Sequence, residues 1–90
     1  MKNTDSIHKQ EIEDLNIIRS RFVDNLKFYR KSRRYTQAML ADKLGIKRAT
    51  LASCEENRSF PNPLVLCRLS RLTKARIESF LKVHILWREI

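Results

Sequence analysis

Thr36–Asn57 reads TQAMLADKLGIKRATLASCEEN. Its apolar positions are Met39, Leu40, Ala41, Leu44, Ile46, Leu51 and Cys54, interrupted once by Gly45. Leu40, Ala41 and Leu44 recur at helical spacing, which gives a helix one buried face. Thr36 stands just before that run and reads as its N-cap, with Gln37 as the first helical residue. Gly45 stops the helix, because glycine enters the left-handed conformation of a C-terminal cap without steric cost. Leu51 and Cys54 then restart the helical spacing after a gap too short for a strand. Two short helices on a tight glycine turn make a helix-turn-helix unit.

The pattern TQxxLAxxLGI followed by xxxTLxxxE is similar to the helix-turn-helix family of Cro and lambda-type phage repressors. Many small bacterial regulators and antitoxins belong to that family. The resemblance runs from Phe22 to Leu81 without a gap. It implies an all-α bundle of five or six helices of the lambda-repressor-like DNA-binding type, here with an extended N-terminal helix. The chain accordingly divides into a helical extension (1–21), a helix-turn-helix domain (22–81) and a C-terminal helix extension (82–90).

Composition agrees with an all-α reading. Ninety residues with 42% apolar side chains make one small domain, and one glycine and two prolines leave little turn chemistry for a sheet. A domain of this size buries only about 60–65% of its unfolded surface, so self-association would help it. The net charge is +9. Residues 1–24 hold four bases and five acids, whereas residues 25–50 hold eight bases and only Asp42 as an acid. Positive charge thus gathers on and beside the helix-turn-helix, which favours a polyanionic partner. No stretch approaches the eighteen apolar residues of a membrane span, and no secretory core is present, so a cytoplasmic protein is expected. Cys54 and Cys67 read as two small buried hydrophobes rather than a disulfide. With His8 and His84 at opposite ends, no metal spacing arises, and no cofactor is expected.

Working outward, residues 1–6 are polar, with Asp5 or Ser6 available as an N-cap. From Ile7 to Ser32 there is no glycine or proline; Ile12, Leu15, Phe22, Leu26 and Tyr29 share a stripe, with Ile18 on the same side. One long helix or two joined near Arg19–Arg21 satisfy this pattern. The family's first helix matches only Phe22–Lys31, so what precedes it is an addition, either further cover for the core or part of a dimer interface.

The resemblance also assigns roles. Arg30 matches an arginine that pairs, largely buried, with a glutamate at the end of the recognition helix, here Glu55. Gln37 matches a glutamine that holds a phosphate, and orphan N–H groups at a helix start favour such an anion. The recognition helix runs from Lys47 or Arg48 to Glu55, with Arg48, Ala49, Ala52 and Ser53 toward the bases. An arginine can grip guanine O6 and N7, and an alanine can meet a thymine methyl. Lys47, Thr50, Arg58 and Arg34 are the further phosphate candidates. Lys47 stands where the family prefers a Ser or Thr cap. Arg34, Asn57 and Lys74 stand where the family has glycine, which predicts an altered loop at Arg34 and leaves the turn at Lys74 open.

Beyond that, Asn62-Pro63 is a helix start, with Leu66, Leu69 and Ser70 inward and Phe60 plugging the preceding loop. A fifth helix is expected from near Ala75. Val83, Leu86, Trp87 and Ile90 give the last segment a second apolar face, expected to form a dimer interface. Double-stranded DNA is the expected partner, bound by a homodimeric transcriptional regulator of repressor type on a palindromic operator. A DNA-binding antitoxin with a toxin partner is the first alternative, and a protein-interaction module without DNA binding the second. Nothing pairs a nucleophile with a base, so an enzyme is not expected. Tyr29, Tyr35 and Phe60 form no stacking platform for RNA.

Overall fold

The computed structural model describes residues 2–81, with side chains from residue 8 onward. Val83, Leu86, Trp87 and Ile90 lie outside the described residues. The described chain has four α-helices, α1 (Lys2–Ser32), α2 (Gln37–Leu44), α3 (Arg48–Glu55) and α4 (Pro63–Thr73), then a short 3-10 helix, η1 (Ile77–Leu81). No strand occurs among these residues. The expected five or six α-helices are therefore not matched; the segment expected as a helix from Ala75 is the five-residue 3-10 turn.

Helix α1 is one continuous element, with no joint near Arg19–Arg21. It passes through Asp5 and Ser6 instead of starting there. Its C-terminal half supplies Phe22, Leu26 and Tyr29 to a core completed by Leu40, Ala41 and Leu44 of α2, Leu51 and Cys54 of α3, Val65 and Leu69 of α4, and Ala75 and Phe80. Its N-terminal half leaves the core. Ile12, Leu15 and Ile18 are 60%, 52% and 37% exposed, so the expected alternative of extra core cover does not hold for this stripe.

Helix α2 begins on the Thr36 hydroxyl, which accepts from Met39 N. It ends at Gly45, φ +68°. There Arg68 Nη1 of α4 donates to the Leu44 carbonyl at 3.1 Å, capping the helix from outside. A Cβ on Gly45 would lie 2.6 Å from that nitrogen. The other turns reach the left-handed region without glycine, at Arg34 (φ +58°), Asn57 (+59°) and Lys74 (+59°). Arg34 thus takes up the left-handed conformation that glycine reaches without steric cost, and the arginine carries that cost.

The turn after α4 is held by side chains. Buried Thr73 donates its hydroxyl to Leu69 O at 2.9 Å and accepts from Ala75 N, while Ser70 donates to Ala75 O at 2.6 Å. Asn25, fully buried on α1, donates through Nδ2 to Phe80 O at 2.7 Å and so pins η1 to α1. On α4 the buried apolar positions are Val65 and Leu69, with Leu66 and Ser70 half-buried. Cys67 is exposed, correcting the expectation of two buried cysteines, because a residue two positions from both Val65 and Leu69 turns off their stripe. Cys54 is buried, its Sγ 3.7 Å from Ser59 Oγ. Phe60 packs on Phe22, ring centroids 4.8 Å apart, yet stays 42% exposed.

Candidate nucleic-acid interface

Helix α3 has the length of two turns, and its two ends do different work. Its C-terminal end is anchored. Arg30 Nε and Nη2 donate to Glu55 Oε2 and Oε1 at 2.7 and 3.0 Å, a bidentate contact across the seam between α1 and α3. Arg30 Nη1 also donates to Tyr35 O at 3.0 Å, which ties the α1–α2 loop to the same pair. Glu55 is 5% exposed, so its carboxylate is compensated by hydrogen bonds rather than by water.

The N-terminal end faces solvent. Lys47, at the cap position, makes no side-chain cap bond. Lys47, Arg48, Ala49 and Thr50 are all exposed, while Ala52 and Ser53 are half-buried. Ser53 Oγ accepts from Ser59 Oγ at 3.0 Å, so its hydroxyl is engaged by the following loop.

Gln37, the first residue of α2, sits between the two ends of α3. Its Nε2 donates to Glu55 Oε1 at 3.2 Å, and its Oε1 accepts from Arg48 Nη1 at 3.1 Å. The chain Arg30–Glu55–Gln37–Arg48 thus runs from the core to the exposed first turn of α3. Sequence reasoning placed Gln37 only against phosphate; a contact between positions eleven residues apart leaves no trace in periodicity. Asn25 and Arg68 were likewise not singled out, since neither position differs in type from a surface residue.

Around this face, Arg34 is exposed beside Arg33, which lies over the Tyr29 ring at 5.6 Å, and Lys43 lies over the Tyr35 ring at 5.0 Å. Burial, reinforced by Tyr35, raises the Tyr29 phenol above its ordinary value against the opposing effect of Arg33, so Arg33 meets an uncharged ring at neutral pH. Arg58 is exposed and pairs with Glu56, also exposed; such a contact is worth little and yields readily to a phosphate. The arrangement offers a short helix with a projecting arginine and a small apolar step at Ala49, flanked by exposed bases.

A family model described as helix-turn-helix matches residues 26–80, more than half of the chain. The protein belongs to the helix-turn-helix family of lambda Cro- and repressor-like regulators, a family of DNA-binding and typically non-enzymatic proteins. No curated protein and no solved structure matches the chain. The match leaves the first 25 residues, including the exposed stripe of α1, outside the family region.

Proposed function

We propose that the protein is a sequence-specific transcriptional regulator of repressor type, which binds a palindromic DNA site as a homodimer in the cytoplasm. The observation that carries this reading is the exposed first turn of α3, with Arg48 steered by Gln37 on a face of high positive charge. In this reading α3 enters the major groove, and Arg48, Ala49, Ala52 and Ser53 face the bases. Arg48 retains guanidinium N–H groups for guanine while Gln37 holds Nη1. Ser53 accepts from Ser59 and keeps its own O–H to donate to a base, but it is half-buried, which makes it the weakest of the four. Lys47, Thr50, Arg58, Arg34 and the N–H groups at the start of α2 beside Gln37 set register on phosphates.

The test begins with a duplex selected from random sequence. On it Arg48→Ala should lose about 1–3 kcal/mol at one base pair per half-site and relax preference there. Arg58→Ala should weaken all duplexes alike and lower the salt slope by about one unit. Equal loss on selected and random duplexes for Arg48→Ala would contradict the base-reading role.

A DNA-binding antitoxin is the second reading, favoured by the exposed stripe of α1 outside the family region. A co-expressed neighbouring gene product that masks this stripe would support it. Failure of the intact chain to prefer any duplex would leave the third reading, a protein-interaction module.

A further inference from the structure

Helix α1 carries its apolar stripe past the edge of the domain. Phe22, Leu26 and Tyr29 are buried, but one to three turns earlier Ile12, Leu15 and Ile18 stand exposed on nearly the same face. Residues 11, 12, 18 and 19 are the four nearest helical neighbours of Leu15, at i±3 and i±4. They read Glu, Ile, Ile and Arg. This patch is self-complementary. Turned end for end about a two-fold axis at Leu15, it brings Leu15 onto Leu15, and puts Ile18 and Arg19 of one helix in the same layer as Ile12 and Glu11 of the other.

A second observation points the same way. Arg19 is half-buried along this face, and its Nε is buried without a hydrogen-bond partner among the described residues. That nitrogen is covered by the protein's own atoms, and the guanidinium has no ion pair among the described residues, which leaves its Nη groups for a carboxylate from outside. Glu11, one turn before Leu15 as Arg19 is one turn after it, is exposed and has no ion pair among the described residues. The antiparallel arrangement supplies a Glu11 carboxylate to each Arg19, twice by symmetry.

We infer that a second copy of this chain packs antiparallel against α1, centred on Leu15 and flanked by two reciprocal Glu11–Arg19 contacts. This rests on the homodimer proposed above and assigns its interface to described residues, none of which belongs to residues 82–90. The charges fix direction: a parallel pairing sets Glu11 beside Glu11 and Arg19 beside Arg19, and like charges in one layer oppose association. Ile17, on the far side of the helix, takes no part.

Sedimentation of the intact chain without DNA, at micromolar concentration, is the first measurement, and a dimer is expected. Leu15→Lys should yield a monomer with unchanged helical circular dichroism, since Leu15 lies outside the core. Glu11→Arg and Arg19→Glu should each weaken the dimer by about tenfold or more, and the double exchange should recover most of that loss. In a Cys67→Ser background, Leu15→Cys should oxidise to a disulfide-linked dimer. A monomeric intact chain would overturn both this inference and the homodimer. A dimer that survives Leu15→Lys but is lost on deleting 82–90 would overturn this interface alone. A double exchange no tighter than either single variant would overturn the antiparallel register.

Discussion

Glu55 accepts three side-chain N–H bonds, two from Arg30 and one from Gln37, while almost out of contact with water. Replacing it by alanine leaves the largely buried Arg30 guanidinium, its side chain 14% exposed, with no counter-charge. Glu55→Ala should therefore cost about 3–5 kcal/mol, read as a lower urea midpoint; a midpoint unchanged within error would remove the pair from the stabilising contacts. The left-handed residues work in the opposite direction. A side chain with a Cβ costs about 1–2 kcal/mol in that region, and part of the gain on inserting glycine is lost to the freer unfolded chain. Arg34→Gly and Lys74→Gly should each stabilise by roughly 0.5–1 kcal/mol net. Asn57→Gly should gain less, because asparagine tolerates the conformation better. Chemical denaturation ranks the three variants, and a destabilised Lys74→Gly would mean that its side chain makes contacts worth more than the strain.

Among the elements, η1 depends most on a single side chain. The amide of Asn25 binds Phe80 O inside the core, where no water can substitute. Asn25→Leu keeps the branched shape but is bulkier and removes the donor to Phe80 O, which together cost about 1–3 kcal/mol or more. Amide exchange across Ile77–Leu81 should quicken more than across α2 or α3; uniform change throughout would show that Asn25 does not hold η1 in particular. Such contacts also mark where the sequence stops being readable. Thr36, Gly45 and the Leu40–Leu44 spacing announce α2 and its turn, because cap, stop and stripe fall within ten residues. The partnership of Arg30 with Glu55 came through the family pattern, as nothing local joins positions 25 apart. Asn25 and Arg68 stayed hidden: each is polar, and only the packed chain decides which backbone carbonyl a polar side chain reaches. Cys67 was misjudged because the many apolar residues of the surrounding segment say little about helical angle. Five residues were also too few to separate a 3-10 turn from a fifth α-helix.

At the scale of the whole molecule, α1 dominates. Thirty-one residues at 1.5 Å each make a rod of about 46 Å, close to the 49 Å length of the protein. Its last third lies within the domain core, and its middle carries the patch inferred to join two copies. No glycine or proline interrupts it between those regions. Any torque on the joined middle is therefore delivered to the core without a hinge to absorb it.

A rod of this kind acts as a ruler. In a dimer joined through α1, the distance and angle between the two α3 helices are set by an unbroken helix instead of by a flexible connection. Adding one base pair between half-sites advances the second by about 3.4 Å and turns it by about 34°, a mismatch that loop-tethered domains accommodate by swivelling. Operators lengthened or shortened by one base pair should lose most of the benefit of the second half-site, while affinity for an isolated half-site is unaffected. Constant affinity across spacings would show that the two reading heads move independently. With a rigid α1, the phase of the DNA helix becomes part of the recognised sequence, at base pairs that no side chain touches.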